Sequence, residues 1–234
     1  MMKRPLSLLL AAVAVLAFGA VAYAASGSQI PNGDFEKGSF SGWSKKSTGG
    51  GEWSIYTAKQ RKLPGPPDSK SFAPKPFGKY ASVLKQENPS TNYLTHVVSV
   101  PNGATNLTVK LFWINNGSPP GPNSSAQASD ATGYWRFPGQ WDISGPRIQY
   151  FMLDLVKASA SGFTTKNSDI LGTLFKPKKG STPARSGGWI TESINVSRFQ
   201  GGKIKLRLVE ADNSGTLNVG LDELEFRSAS SPTG

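Results

Sequence analysis

After residue 25 the chain is a succession of short runs, each alternating or wholly apolar, cut at brief intervals by clusters of Gly, Pro, Asn and Ser. No segment in that stretch carries the 3.6-residue stripe of an amphipathic helix, and no internal repeat or heptad appears. The predicted strands are 29–36, 52–56, 79–84, 93–100, 107–115, 147–157, 170–175, 189–196, 203–211 and 217–226. A chain of strands without helices can bury its apolar faces only by stacking sheet on sheet. The fold expected is therefore all-β: a two-sheet antiparallel β-sandwich of the jelly-roll kind, one domain over residues 25–228, with 229–234 a small, polar tail. Twelve Phe, six Trp and six Tyr supply the apolar surface for its core, which argues against disorder.

Residues 1–24 stand apart. A basic start (Lys3, Arg4) precedes an apolar run from Leu6 to Tyr23 that ends in Ala22-Tyr23-Ala24, the small-x-small pattern of a cleaved leader. An exported protein results, secreted or held at the cell surface. The alternative is retention of the run as an anchor, since it nearly reaches the roughly 20 residues of a membrane span. Export without a single Cys points to a bacterial source and excludes disulfide frameworks, cysteine–zinc sites and thiol catalysis. One His excludes a multi-histidine metal centre within the chain.

Alternation also predicts where acids go. In Lys203–Asp212 one face is Ile204, Leu206 and Leu208 and the other is Lys203, Lys205 and Arg207, so the first must be the buried one. Continued in register, the buried face carries Glu210 and Asp212. Two readings stand: the acids follow the core stripe to one end of the sandwich, or the register breaks at Val209 and they sit in a solvated turn. In the last strand Asp222 shares a face with Leu224 and Phe226 and is expected to be buried with a partner. A carboxylate at a core edge needs a cation, N–H donors or a raised pKa, and either a hard ion such as Ca²⁺ or an Arg supplies the first.

Two connections are longer than a sandwich requires, 59–77 and 116–145, and the second carries Tyr134, Trp135, Phe137 and Trp141. Long loops in compact domains are often functional. Exposed rings stack on the C–H faces of sugars, so Tyr134, Trp135 and Trp141 are candidates for that role, with Gln140 and Asp142 as polar neighbours. The competing reading has the same rings pinning the loop to the sandwich. Trp43, Trp53, Trp113 and Trp189 lie within strand patterns and are expected in the core.

The opening Asn32-Gly33-Asp34-Phe35-Glu36, with Gly38 and Ser41-Gly42-Trp43, resembles the first strand of galactose-binding-like jelly-roll domains, among them many secreted carbohydrate-binding modules. The closing Asn218-Val219-Gly220-Leu221-Asp222 resembles their last strand, and Gly188-Trp189 through Glu210 is similar to the portion before it. The resemblance implies a structural Ca²⁺ joining the two ends of the chain, with Glu36 and Asp222 as ligands, Asp34 as an addition and backbone carbonyls completing the shell. It also implies sugar binding on a sheet face or in edge loops, where Asn115, Arg147 and Gln149 would contribute.

Function follows as an expectation: a non-catalytic, extracellular glycan-binding module. A surface adhesive or matrix component is the alternative, and a jelly-roll polysaccharide-degrading enzyme a more distant one. Glu210-x-Asp212 matches half of an E-x-D-x-x-E glycosidase pattern, but Gly215 stands where the second Glu belongs, and His96 sits in a strand pattern with no nucleophile elbow nearby. A formal charge of +11, from 26 Lys and Arg against 15 Asp and Glu, favours an anionic glycan as partner. Lys59, Arg61, Lys62 and Lys70 form part of an early basic cluster. No nucleic-acid motif is present.

Overall fold

The computed structural model describes residues 30–64, 71–115, 149–164, 166–176, 188–213 and 215–228. The proposed leader, the aromatic segment 116–148 and the tail lie outside them. Eight strands account for most of the described chain: β1 (Ser44–Thr57), β2 (Tyr80–Ser99), β3 (Ala104–Asn115), β4 (Gln149–Lys157), β5 (Ile170–Phe175), β6 (Ile190–Asn195), β7 (Lys203–Asp212) and β8 (Leu217–Ser228). Single 3-10 turns at Asn167–Asp169 and Ser197–Phe199 are the only helical elements among the described residues. All pairings are antiparallel.

β2 serves both layers. Its second half, Ser90–Ser99, pairs with β7, which continues to β4 and β5. Its first half pairs through Ser82–Leu84 with β8, which continues to β3 and β6. β1 follows β2 along its whole length. The β1–β2 ribbon therefore passes from one sheet into the other, and the sheets face each other across a core drawn from both. Leu94, Leu153, Leu155, Leu206 and Leu208 come from one layer and Leu84, Leu107, Val109, Leu111, Val219 and Leu221 from the other. Each such buried side chain contributes about 1.5–3 kcal/mol of transfer free energy.

The ribbon turns at a specific place. The register of β1 shifts between Gly49 and Gly51, opposite Asn88 and Pro89 of β2. Gly49 has φ +91°, and a Cβ there would run into the carbonyl of Pro89. Pro89 donates no ladder bond, so the pairing yields there and the strands bend. The two strands expected at 79–84 and 93–100 are thus one bent strand. Close approach also requires Gly220, where a Cβ would run into the Phe112 ring and lie 2.7 Å from the Ser82 carbonyl oxygen.

The expected first strand, 29–36, is not one. Among its described residues the chain coils in turns, with Asn32 and Phe35 in the left-handed region at φ 56° and 55°. The Asn32 side chain replaces a ladder: its amide donates to the carbonyls of Ser39 (2.8 Å) and Ser41 (3.1 Å), and its oxygen accepts from the Lys37 N–H (3.3 Å). Phe35 is fully buried and stacks on Trp43 at 5.1 Å. A second departure is Arg207. Alternation puts it on the outward face of β7, yet it has no exposed surface, because residues 160–164 fold over that face. It pairs in bidentate fashion with Asp154 (2.9 and 2.6 Å) and donates to the carbonyls of Gly162 (3.2 Å) and Thr164 (2.7 Å).

Removing one member of that pair strands the other charge without solvent. Arg207→Leu is expected to destabilise the fold by about 3–5 kcal/mol in urea titrations, whereas Arg207→Leu with Asp154→Leu recovers most of the loss. A double variant no more stable than the single one would show that the guanidinium acts by holding 160–164, not by neutralising Asp154.

Candidate functional site

Glu36 and Asp222 reach the same stretch of backbone from opposite ends of the chain. Glu36 Oε1 accepts the N–H groups of Lys79 (2.8 Å) and Tyr80 (2.9 Å), at the start of β2. Asp222 Oδ2 accepts the Phe77 N–H (3.0 Å), and its Oδ1 accepts the N–H of Glu223 (2.9 Å), which has φ 44°. The segment Phe77–Tyr80 is thus held by two carboxylates, one from the opening turn and one from β8. The Leu224 N–H donates to the Gly33 carbonyl (3.1 Å) and closes the same junction. Asp34 Oδ1 accepts the Glu36 N–H (3.2 Å) and shapes the turn.

Asp222 is 1% exposed. Burial is the main cause that pushes its carboxyl up to about 7; the N–H groups of Phe77 and Glu223 pull it down, and the charges of Glu223 and Glu36 push it further up. No cationic side chain enters that balance. The donor set is hard oxygen throughout, the chemistry of a Ca²⁺ ligand shell. Among the described residues no three acidic, His or Cys side chains gather closely enough to hold a metal by themselves, so any such ion needs backbone carbonyls as well.

A second acidic cluster lies at the end of the sandwich where the ribbon bends. Glu210 and Asp212 are fully buried, and β7 runs unbroken to Asp212; the register does not break at Val209 and the solvated-turn reading falls. Asn92, opposite Glu210 in register, donates from its amide to Glu210 Oε2 (2.6 Å) and to the Ser90 hydroxyl oxygen (2.8 Å). Glu210 Oε1 and Asn92 Oδ1 are buried without a hydrogen-bond partner. Burial pushes the Glu210 carboxyl well up, the Asp212 charge adds to the rise, and the Asn92 bond opposes it. Sequence motifs do not single out Asn92, although alternation with Leu94 already places it on the inward face.

The other expected residues divide. Tyr134, Trp135, Gln140, Trp141, Asp142 and Arg147 lie outside the described residues. Asn115 ends β3 and is buried, opposite Leu217. Gln149 begins β4, opposite Asp212. Trp43, Trp53 and Trp113 are core residues, and Trp189 packs half-buried beside Phe112, its indole N–H donating to the Lys75 carbonyl (2.7 Å). His96 is buried and stacked on Trp43 at 4.8 Å, with Nε2 3.0 Å from the Pro31 carbonyl oxygen. Burial pushes its pKa down, against the bonds of the Gly42 and Pro31 backbone that raise it. It packs; it is not placed to act as a base.

No protein-family model and no curated protein matches the sequence. Among solved structures, TmCBM61 in complex with β-1,4-galactotriose is similar over 87% of this chain and 99% of its own, at 12% identity and a TM-score of 0.47. The C-terminal family 22 carbohydrate-binding module of Clostridium thermocellum Xyn10B is similar over 86% of this chain and 94% of its own, at 13% identity and 0.41. The K2 cleaved adhesin domain of Lys-gingipain is similar over 80% and 89%, at 13% identity and 0.41. Likenesses this remote carry neither ligand nor site to this chain; the two-layer fold stands on its own strand pairing.

The buried carboxyl of Glu210 sets a pH dependence with a definite sign. Its folded pKa lies above the unfolded value, so the stability it contributes is complete below roughly pH 4.3 and is lost as pH rises through the folded pKa. Glu210→Gln, which mimics the protonated acid, is expected to flatten the fall of melting temperature between acidic and alkaline buffer. An equal slope in both proteins would place the titrating group elsewhere.

Proposed function

We propose that this chain is an exported, non-catalytic glycan-binding module, with a structural Ca²⁺ at the junction of its two ends. The observation that carries the reading is where the chain crosses between layers. β3 ends at Asn115 in one sheet and β4 begins at Gln149 in the other. Both points lie at the end where the ribbon bends: Leu217, opposite Asn115, donates its N–H to Gln86 Oε1 (2.9 Å), and Asp212, opposite Gln149, pairs with Ser90. The segment bearing Tyr134, Trp135, Gln140, Trp141, Asp142 and Arg147 is therefore rooted at both ends on a rigid scaffold, the arrangement by which sandwich folds present binding loops. Asn115, Arg147 and Gln149 stand at or beside those roots and complete the proposed sugar site.

Two further observations support the non-catalytic half of the reading. Glycoside hydrolysis needs two carboxyl groups that flank the scissile bond. Glu210 and Asp212 have no exposed surface with which to do so. His96 is buried and packed against Trp43. For the ion, Glu36 and Asp222 are the ligands, with Asp34 beside them and carbonyls of the junction completing the shell. Bound there, the cation neutralises the two carboxylates and fastens the start of β2 to β8. It leaves the sugar site free of metal chemistry. The leader of residues 1–24 and the surplus of basic residues suit an extracellular, acidic polysaccharide or surface glycan.

Trp135→Ala combined with Trp141→Ala is expected to abolish retention on immobilised polysaccharides while leaving the melting temperature unchanged. Undiminished retention would remove both rings from the site. Chelation with EDTA is expected to lower the melting temperature of the natural chain, with Ca²⁺ restoring it, and to leave an Asp222→Asn variant unaffected; equal response of the two proteins would exclude Asp222 as a ligand.

A further inference from the structure

Between the end of β1 and the start of β2 the chain makes an excursion that covers the outer face of one layer. It turns at Thr57–Gln60, where the Gln60 N–H donates to the Thr57 carbonyl (2.9 Å). Residues 61–64 and 71–74 then lie side by side: the Leu63 N–H donates to the Ser71 carbonyl (2.9 Å), the Ala73 N–H donates to the Arg61 carbonyl (2.8 Å), and Lys62 pairs with Phe72. Leu63 and Ala73 are buried against Tyr56, Ala81, Val83 and Phe112. The Tyr56 hydroxyl donates to the Pro74 carbonyl (3.0 Å) and pins the return.

Alternation then decides what the strap shows to solvent. With Leu63 and Ala73 facing in, Lys62 and Phe72 face out, and both are exposed. Phe72 keeps 49% of its surface accessible, with the Arg61 guanidinium 6.0 Å from its ring. Beside them opens a cleft of about 410 Å³ floored by Ser54, Ile55 and Tyr56. Among the described residues that line it, Lys59, Gln60, Lys62, Phe72 and Lys85 bring three ammonium-bearing side chains and no carboxylate, with Glu52 opposite Lys85 in the β1–β2 register. The Thr57 hydroxyl donates to Gln60 Oε1 (3.2 Å), so that amide offers its N–H₂ as the donor end.

We propose that this cleft is a binding site for an anionic saccharide, a sugar unit bearing a carboxylate or a sulfate. The three lysines meet its charge, the Gln60 amide bonds a hydroxyl, and Phe72 covers a ring face. The volume lies within the range of small-ligand sites. Leu63 and Ala73 pack the strap into the fold, so Lys62 and Phe72 are carried on a hydrogen-bonded piece of backbone. None of its lining residues belongs to the segment that carries Trp135 and Trp141. For the class of its ligand it rests on the extracellular glycan reading.

The test uses isothermal titration of the intact chain with three probes: an oligogalacturonate, a sulfated oligosaccharide and a neutral galacto-oligosaccharide. The natural chain is expected to bind at least one anionic probe, with affinity falling about tenfold or more as salt rises from about 50 to about 300 mM. Whichever probe binds distinguishes carboxylate from sulfate. Lys59→Ala with Lys62→Ala, both exposed positions, is expected to weaken that binding at least about tenfold with unchanged melting temperature, and Phe72→Ala to weaken it further. Neutral-probe binding in the double lysine variant should remain as in the natural chain. Failure of both anionic probes to bind, or equal binding by the lysine variant, overturns the cleft. Neutral-probe binding undiminished by Trp135→Ala with Trp141→Ala would instead overturn the loop reading and leave the cleft standing.

Discussion

Two carboxylates, separated by most of the chain, hold one short run of backbone. Glu36 anchors Lys79 and Tyr80, and Asp222 anchors Phe77. That junction sets where β2 begins, and β2 is the strand both sheets share. From there the ribbon of β1 and β2 is carried through one layer, over the bend at Gly49 and Pro89, and into the next. The strap, the core and the root of the long aromatic connection all take their positions from that path. Asp222 achieves this at a cost, since its carboxyl is pushed up to about 7 by burial and by neighbouring acids. The Ca²⁺ proposed for this junction would neutralise that carboxyl in its charged form.

The polar groups inside the sandwich are concentrated, not scattered. On one outer face Arg207 and Asp154 form a bidentate pair sealed by residues 160–164. At the bend, Asn92, Ser90 and Glu210 form a hydrogen-bonded set beside Asp212. The first sits under residues 160–164, whose position it makes an electrostatic matter. Buried networks of this kind specify one arrangement more than they add stability.

Much of the fold was legible in the pattern of the chain. β5 falls on its expected residues, and β3, β4, β6, β7 and β8 differ from expectation by a few residues at their ends. Alternation put Asp222 on the inward stripe and left Glu210 and Asp212 between that stripe and a solvated turn; the unbroken β7 decides for the stripe. What alternation could not show was tertiary in origin. The break expected between two strands at 84–93 is a bend within one, because Pro89 and the three glycines opposite it permit a turn without ending the ladder. The opening motif coils because the Asn32 side chain captures three backbone groups, a local bond that competes with strand pairing. Arg207 looked outward by alternation and is buried only because a distant loop returns over it. The basic cleft combines Lys59 and Lys62, which cluster in sequence, with Phe72 and Lys85, which do not.

The claim on which the rest depends is most directly tested by a crystal structure of the chain grown with Ca²⁺, using anomalous scattering to locate the ion. A shared fastening predicts one peak within about 2.3–2.6 Å of carboxylate oxygens from both Glu36 and Asp222. A junction with no ion at saturating Ca²⁺, or an ion bound by only one of the two carboxylates, would contradict it.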